Sequence, residues 1–419
     1  MRLADIPEVP RDEVFALTAD FKADDHPNKV SLGAGVYRDE NSQPWVLPSV
    51  KAAREALNKN RDWNHEYLPI HGLDDFLDVA RDLILGREDT SQSPVVSIQT
   101  ISGTGANHLG AAFLAQRLKP RHVFISSPTW GNHHLIWEFA APDVVQKTYP
   151  YYHAPTRSLD FEGMMSTLEA EAVEDDVVIL HACAHNPTGI DPTREQWEAL
   201  AELFKRKKLF AFFDSAYQGF ATGDVDADAW AVRHFRHVLF PRDSTAEGPQ
   251  GLCIAQSFSK NFGLYGERVG ALHLVLAPGT PEPGPRTQLL RLVRGEISNP
   301  PTFGGRIVQT ILSDPRLRAM WDRDLQTMSS RIKRMRSLLR QEIEKHPGVG
   351  DWSHLESEIG MFTFTGLSPA HVLRLRKVHH IYLMMSGRAS ISGLNEKNVT
   401  YVADAIFEVI KHEGSRQYS

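Results

Sequence analysis

The stretch Ser257 to Gly270, SFSKNFGLYGERVG, is the most informative part of the sequence, because it places a lysine directly after a predicted strand. The apolar run Gly251-Leu-Cys-Ile-Ala255 before it is short, β-prone and bounded by turn formers, so it predicts a buried strand that delivers Lys260 to a loop. A desolvated lysine near a second cation, here Arg268, loses basicity and becomes a nucleophilic amine suited to Schiff-base chemistry. Taken alone, Lys260 is more simply interpreted as a solvated loop lysine, since most lysines are exposed.

Length and charge limit the class of protein. The chain has 419 residues and is 42% apolar, which is enough for two packed globular domains. Its formal net charge of −6 argues against a nucleic-acid partner. The basic stretch Arg331 to Arg340 is interpreted as the solvated face of a long helix.

Cysteine usage and the first residues bear on localisation. Cys183 and Cys253 both lie in apolar, strand-like runs, which predicts buried thiols in a reducing compartment rather than a disulfide. The start MRLADIPEVPRDEVF contains acidic residues where a leader would be basic, and no apolar run approaches the length of a membrane span. We therefore expect a cytoplasmic protein with no membrane partner.

A candidate phosphate site follows the predicted strand Val95 to Ile101. There Ser102-Gly103-Thr104-Gly105 opens a helical pattern, and the free amides of a helix N-terminus attract anions. Dinucleotide binding is disfavoured because the GxGxxG pattern is absent. Without further context, such a turn is nearly as often a plain connection.

Three more predicted strands end in polar or aromatic side chains. They lead, respectively, to Trp130 with His133, to the Asn186-Pro-Thr-Gly189 turn, and to Asp214 with Tyr217. Open α/β sheets bind their ligands at the carboxyl ends of strands, so Asp214, which directly follows its strand, is expected to lie at a ligand site. For Asp214 alone, a helix cap is an equally simple interpretation.

Together, these motifs resemble those of the aspartate aminotransferase family, the fold-type I pyridoxal phosphate enzymes. The resemblance implies a pyridoxal 5′-phosphate cofactor whose aldehyde is bound by Lys260, the catalytic residue. It implies that Trp130 stacks on the cofactor ring, that Asp214 supports the ring nitrogen with His133 beside it, and that no metal is needed. Asn186 and Tyr217 would bond to the phenolate oxygen. The implied phosphate ligands are Ser102, Gly103, Thr104, Ser257, Arg268 and Tyr67.

The same resemblance implies how substrate is bound. Gly35 of Gly33-Ala-Gly35 would lie against the substrate, together with Trp130 and Asn186. Arg388, in Ser386-Gly-Arg388, offers a planar fork for the α-carboxylate. Arg294, four residues before Ser298, matches the position that binds a distal carboxylate.

Two residues beside Arg294 depart from the family pattern. Ile297 stands where the family usually has an aromatic residue, and Glu296 adds a carboxylate. Glu296 either pairs with Arg294 in the empty site or points outward along an extended segment. The preceding proline-rich stretch, Ala277 to Pro285, is predicted to be a loop.

The expected architecture is α/β. A large cofactor-binding domain, residues 43–312, would contain a mostly parallel sheet flanked by helices. A smaller α/β domain would combine both chain ends, residues 1–42 and 313–419. The resemblance further implies a homodimer with shared active sites, because Tyr67 and Arg294 would act across the interface.

The favoured activity is reversible transamination between an L-amino dicarboxylate, aspartate or glutamate, and a 2-oxo acid, 2-oxoglutarate or oxaloacetate. The alternative is a related enzyme with the same cofactor that acts on an aromatic or specialised-metabolism amino acid, or that catalyses β- or γ-substitution. The departures at Glu296 and Ile297 motivate that alternative. A third interpretation, a binding protein that has lost catalysis, is opposed by the presence of Lys260, Asp214 and Arg388 together.

Overall fold

The computed structural model describes residues 2–61, 63–87, 93–241 and 248–416, with side chains described through residue 412. Short 3-10 segments occur at Leu3–Asp5 and Ile391–Gly393. The helices are α1 (Glu13–Ala23), α2 (Pro48–Asn58), α3 (Asp74–Leu85), α4 (Ser102–Arg117), α5 (Asn132–Ala140), α6 (Phe161–Glu171), α7 (Arg194–Lys207), α8 (Val225–Asp228), α9 (Trp230–Leu239), α10 (Pro283–Glu296), α11 (Phe303–Ser313), α12 (Pro315–Glu344), α13 (His354–Ser357), α14 (Pro369–His379) and α15 (Val399–Arg416). The strands are β1 (Val30–Ser31), β2 (Val95–Ile101), β3 (His122–Ser127), β4 (Val145–Pro150), β5 (Tyr152–His153), β6 (Ser158–Leu159), β7 (Val177–His181), β8 (Phe210–Ser215), β9 (Gly251–Ser257), β10 (Val269–Leu276), β11 (Phe362–Phe364), β12 (Ile381–Tyr382) and β13 (Arg388–Ser390).

A seven-stranded sheet with the order β2-β10-β9-β8-β7-β3-β4 forms the centre of the larger part of the chain. The pairings from β9 to β4 are parallel, whereas β10 runs antiparallel to both β2 and β9. Gly270 of β10 is paired with Thr100 on one side and Ser257 on the other, so the carboxyl ends of β2 and β9 lie close together. The predicted α/β fold with a mostly parallel sheet is confirmed.

Apolar side chains cover both faces of this sheet. Successive residues of β8 point to opposite faces, because Phe213 belongs to one buried cluster and Phe212 to another. The first cluster includes Trp197 of α7 and Phe235 of α9, and the second includes Trp137 of α5. Strands covered on both faces read as continuous apolar runs, which is why β7, β8 and β9 could be predicted from the sequence.

The chain divides into two compact units. The first comprises Met1–Pro44, Ile332–Ser357 and Met361–Ser419, and the second comprises Trp45–Arg331 and Glu358–Gly360. The division falls inside α12 rather than at residue 313, because the first half of this helix packs on the second unit. Trp321 stacks on Phe262 at 4.5 Å between ring centroids, and Asp324 accepts a hydrogen bond from the Ser49 amide at 3.0 Å. The division into independent domains at residues 1–42, 43–312 and 313–419 stays a prediction.

The first unit is an α/β unit built from both chain ends. β1 pairs in parallel with β12, and β11 pairs antiparallel with β13. α14 and α15 carry buried side chains such as Val372 and Val402. Among the described residues of the whole chain, no helix combines the length and the apolar character needed to cross a bilayer.

Candidate active site

Three serines meet at the N-terminus of α4. The Ser102 hydroxyl lies 2.9 Å from the Ser259 hydroxyl and 3.4 Å from that of Ser257. Ser257 also accepts a hydrogen bond from the Ser259 amide at 3.2 Å. Ser102 and Ser257 are both buried, at the ends of β2 and β9. Hydroxyl groups are therefore concentrated beside the free amides of a helix N-terminus, an arrangement suited to an anion.

Close backbone packing shapes this serine cluster. A Cβ atom at Gly103 would lie 2.9 Å from the Cβ of Ser257, so only glycine fits without a shift. The Ser102 amide donates to the Arg268 carbonyl at 3.1 Å, and both residues adopt positive φ, 61° and 56°. Thr104 and Arg268 line the same cavity of about 380 Å³. These contacts bring five of the predicted phosphate ligands together.

The side chain of Lys260 lies over an aromatic ring. Its Nζ is 4.9 Å from the centroid of the Tyr217 ring, which follows β8. Burial lowers the pKa of Lys260, and the nearby Arg268 lowers it further, whereas Asp214 acts in the opposite direction. The net downward shift favours the neutral, nucleophilic amine.

Asp214 is held by a chain of hydrogen bonds. Its Oδ2 lies 3.0 Å from Nε2 of the fully buried His133, whose Nδ1 is 2.8 Å from the Thr129 hydroxyl. The same hydroxyl lies 3.2 Å from Nε2 of His181. Burial alone would raise the pKa of Asp214, but the hydrogen bond and charge of His133, the charge of His181 and that of Lys260 hold it below its usual value. Asp214 is therefore a buried carboxylate that stays ionised.

Asn186 and Trp130 border the same group of residues. Asn186 is buried, its amide donates to Nδ1 of His181 at 3.4 Å, and its Oδ1 has no hydrogen-bond partner among the residues that the structure describes. Trp130 is half-buried and meets the His133 ring edge to face at 5.3 Å between centroids. An unpartnered buried amide oxygen, on a residue whose backbone is bonded to His181, is typical of a binding site.

Sequence reasoning missed three members of this site: Ser259, Thr129 and His181. Ser259 directly precedes Lys260 and was visible as a possible hydroxyl ligand. His181 is the last residue of β7, at the same sheet edge as Asp214, with which it is paired in register. That strand-end position was the available signal for His181. For Thr129 the sequence contains no such signal, because its contact with His133 depends on the orientation of the His133 ring.

Tyr67 and Arg294 lie on a second group of segments within the larger unit. Tyr67 is 81% exposed, and the carbonyl of the next residue, Leu68, accepts a hydrogen bond from Asn299 Nδ2 at 3.0 Å. Arg294 is exposed and donates to the Ser298 hydroxyl. Among the residues that the structure describes, no contact joins Tyr67 or Arg294 to the residues around Lys260, so the roles predicted for Tyr67 and Arg294 stay predictions.

Glu296 is exposed and points away from Arg294, which is the second of the two orientations considered from the sequence. It is the last residue of α10, not part of an extended segment, and α10 begins at Pro283 inside the stretch predicted to be a loop. Proline is favoured at the first position of a helix, which explains this difference. Glu296 Oε1 lies 3.2 Å from Nε2 of His108 on α4, and this contact raises the pKa of His108. Residues two apart on a helix do not face each other, so Glu296 and Arg294 are directed apart.

Gly35 and Arg388 belong to the first unit. Arg388 is buried, donates to the Gly33 carbonyl at 2.8 Å, and its guanidinium lies 4.3 Å from the centroid of the Phe362 ring. A Cβ at Gly35 would lie 2.8 Å from the same ring, so the glycine permits this packing. The guanidinium is thus held in a defined orientation within its unit.

The residues around Lys260 fit pyridoxal 5′-phosphate. The serine cluster and the amides of α4 suit its phosphate, and the lowered pKa of Lys260 suits its aldehyde. Asp214 supplies a buried negative charge for a protonated ring nitrogen. No group of three metal-ligating side chains occurs among the residues described.

Comparison with known proteins places the chain in a family. The family model for aminotransferase class I and II matches residues 27–406. The chain belongs to this family, and it is a pyridoxal phosphate-dependent aminotransferase. The predicted family, enzyme class and cofactor are confirmed.

Three relatives illustrate the range within that family. An L-tyrosine:2-oxoglutarate aminotransferase from Aspergillus ustus is 47% identical, covering 97% of this chain and 78% of its own length. The solved aspartate aminotransferase from the cytoplasm of Saccharomyces cerevisiae is 43% identical, covers 98% of each chain and superposes with a TM-score of 0.93. An aromatic-amino-acid aminotransferase from Burkholderia pseudomallei, solved covalently bound to pyridoxal phosphate, is 37% identical, covers 98% and 100%, and has a TM-score of 0.90.

Proposed function

We propose that the chain transfers an amino group reversibly between an L-amino dicarboxylate, aspartate or glutamate, and a 2-oxo acid, with aspartate and 2-oxoglutarate as the preferred pair. The observation that carries this proposal is the arrangement around Lys260. Its amine has a lowered pKa and lies beside the Tyr217 ring, in the electrostatic range of Asp214. The 43% identity with the yeast aspartate aminotransferase supports the same assignment.

Pyridoxal phosphate, when bound, supplies an aldehyde that links to amines and a ring that withdraws electrons from the carbon next to the nitrogen. Lys260 Nζ would bind this aldehyde. Once displaced by the substrate amine, it would accept the proton of the substrate Cα and donate it to the aldehyde-derived carbon. Its lowered pKa increases the share of neutral Nζ that can accept that proton. Its position over the Tyr217 ring restricts the directions from which the amine can act.

The other site residues would hold and tune the cofactor. Asp214 would hold a proton on the ring nitrogen, and His133 keeps the carboxylate ionised and fixed through its 3.0 Å contact. Asn186 and Tyr217 would donate to the ring oxygen, and Trp130 would cover the ring face. The phosphate ligands are proposed to be Ser102, Gly103, Thr104, Ser257 and Arg268, with Tyr67 of a second subunit.

Two arginines are proposed to bind the carboxylates of the substrate. Arg388 would hold the α-carboxylate, with Gly35 against the substrate; its burial and its contacts with Gly33 and Phe362 leave a rigid fork. Arg294 would bind the distal carboxylate. The contact between Glu296 and His108 supports this role, because it engages the carboxylate that could have competed for Arg294.

We also propose a two-fold homodimer in which Tyr67 and Arg294 act in the site of the other subunit. Tyr67 is 81% exposed, and Leu135 and Phe139, which line the cavity of about 380 Å³, are 46% and 70% exposed. Exposed aromatic and aliphatic side chains around one concavity are typical of an interface.

A cytosolic location is supported by the two buried free thiols, Cys183 and Cys253, and by the cytoplasmic origin of the yeast relative.

An aromatic amino donor is the second candidate. The 47% identity with a tyrosine aminotransferase and the presence of Ile297 in place of an aromatic residue favour it. An aliphatic side chain near the distal group would leave room for a ring, whereas a charged distal carboxylate requires Arg294. The two candidates therefore differ in their dependence on this arginine.

Half-reactions of the cofactor-bound enzyme separate the candidates. Aspartate, tyrosine, phenylalanine and alanine are mixed in turn with the parent and with Arg294→Ala, and the change in cofactor absorbance is timed. In the proposed dimer, the second subunit and the substrate would bury the ion pair of Arg294, and breaking a buried ion pair costs about 3–5 kcal/mol. We therefore expect the parent to prefer aspartate and Arg294→Ala to lose at least about 100-fold for aspartate only. A parent that prefers tyrosine, with no loss in Arg294→Ala, would replace the dicarboxylate assignment by the aromatic one.

A further inference from the structure

The turn that carries Asn186 is strained two residues before it. Ala184 has a φ of 49°, in the left-handed region that residues with a Cβ rarely adopt. Such a conformation persists only where the surroundings hold it in place. The orientation of Asn186 therefore depends on whatever holds the Ala184 backbone.

One carboxylate holds this backbone. Asp191 Oδ2 accepts a hydrogen bond from the Ala184 amide at 2.6 Å, and Asp191 Oδ1 accepts one from the His185 amide at 2.9 Å. The two oxygens thus bind consecutive amides directly before Asn186. Charged acceptors make the stronger class of hydrogen bonds, so the carboxylate is well suited to holding a strained turn.

The remainder of the turn is held by other contacts. The Gly189 amide donates to the His185 carbonyl at 2.7 Å, and the Tyr151 hydroxyl donates to the Ile190 carbonyl at 2.8 Å. The Tyr151 ring also stacks on the His185 ring at 3.7 Å between centroids. With these contacts in place, the amides of 184 and 185 are the part of the turn that relies on Asp191.

We propose that Asp191 is a positioning residue for the amino-transfer reaction: it fixes the backbone at 184 and 185 and thereby aims the Asn186 side chain at the ring oxygen of the cofactor. This inference rests on the proposed role of Asn186. Asp191 itself touches neither cofactor nor substrate in the proposal. Burial raises its pKa to about 6, so the carboxylate is ionised near neutral pH, where both of its oxygens are acceptors.

The cofactor absorbance of the holoenzyme, titrated with pH, tests the proposal without measuring turnover. A donor to the ring oxygen stabilises that oxygen without its proton, so losing the donor makes the bound cofactor keep its proton to higher pH. Asn186→Ala should therefore raise the midpoint by about one to two pH units, the size expected for a hydrogen bond to a charged group. Asp191→Asn should raise it by a smaller amount, because asparagine has one acceptor oxygen for two amides. In the Asn186→Ala background, Asp191→Asn should add no further shift.

Asp228→Asn is the matched control. Asp228 is a buried carboxylate that also accepts two backbone amides, those of Gly219 at 2.7 Å and Thr222 at 3.3 Å, but both reach the same oxygen. Asparagine can keep both bonds there, so the midpoint should stay unchanged. The double variant Asp191→Asn with Ala184→Gly guards against misfolding of Asp191→Asn. Glycine adopts positive φ without strain, so this double variant should have a midpoint closer to that of the parent.

The outcomes separate the two claims. A midpoint moved by Asn186→Ala but unmoved by Asp191→Asn would overturn the role of Asp191 alone. An equal shift from Asp191→Asn with and without the Asn186 side chain would also overturn it, because Asp191 would then act by another route. A midpoint that Asn186→Ala leaves unchanged would overturn the role of Asn186 and, with it, that of Asp191.

Discussion

Replacing Gly103 by alanine should weaken cofactor binding through the phosphate. The new Cβ would lie 2.9 Å from the Cβ of Ser257, whereas carbon atoms in contact are normally 3.5–4.0 Å apart. The start of α4 must therefore move by about 0.6 Å or more, because Ser257 is fixed in β9 between two neighbouring strands. Overpacking of this kind costs about 1–3 kcal/mol, more than the ~1 kcal/mol that alanine contributes over glycine in a helix.

The functional loss is expected in the affinity for the phosphate group. Moving the α4 amides by that distance weakens at least one hydrogen bond to an anion, which is worth about 1.5–3 kcal/mol, so the dissociation constant should rise about 10-fold or more. Apoenzyme is titrated with pyridoxal phosphate and, separately, with pyridoxal, which has no phosphate. Gly103→Ala should weaken binding of the first compound and leave that of the second nearly unchanged.

Gly266→Ala is the control for this experiment, because no described atom beyond its chain neighbours lies within 4 Å of the Cβ that it would add. Position 266 lies two residues before Arg268. The Gly266→Ala protein should bind pyridoxal phosphate and pyridoxal as the parent does. A folded Gly103→Ala protein that binds pyridoxal phosphate with parental affinity would refute the assignment of this helix N-terminus to the phosphate. Equal losses for pyridoxal and its phosphate would refute it as well.

Three further predictions concern the lysine, the dimer and pH. Lys260→Ala should bind pyridoxal phosphate but yield no cofactor-labelled peptide after borohydride reduction; mass spectrometry that maps a label to another lysine would contradict the assignment of Lys260. Mixing inactive Tyr67→Ala and Lys260→Ala proteins should restore about a quarter of parental activity, since half of randomly exchanged dimers hold one intact site; no recovery after proven subunit exchange would exclude site sharing. Burial raises the pKa of Asp228 to about 6. The contribution of Asp228 to the free energy of unfolding is therefore fully present below about pH 4 and is lost as pH rises through 6. Relative to the parent, Asp228→Asn should gain up to about 3 kcal/mol in free energy of unfolding between pH 4 and pH 7. A melting-temperature difference between the two proteins that does not change with pH would contradict that pKa.

Much of the fold and of the cofactor site could be predicted from the sequence, because the strands are buried on both faces. A strand such as β8 or β9 appears as a short apolar run, and the polar residue that ends it must lie at the edge of the sheet. Asp214 and Lys260 were located by this reasoning, and the comparisons confirm the family that it suggested. Gly103 was likewise predicted to belong to an anion site at the start of a helix.

The remaining features depend on geometry that is not local in sequence. The acceptor role of Asp191 requires a turn that brings its carboxylate back to amides seven and six residues earlier. The contact of Glu296 with His108 requires α10 to continue to residue 296 and to pack beside α4. Trp321 and Asp324 tie the first half of α12 to the larger unit, which an amphipathic pattern alone cannot show.

The order of strands in the central sheet has a consequence for synthesis on the ribosome. β2 lies at the edge of the sheet and is paired with β10, whose residues follow it by more than 160 positions in the chain. β2, which ends at Ile101, therefore lacks its partner strand until Leu276 has emerged, although the parallel strands β3, β4, β7 and β8 can already associate. A nascent chain stalled before β10 should thus contain a partly formed sheet that cannot retain pyridoxal phosphate, and the cofactor can stabilise only a chain whose synthesis has passed that strand.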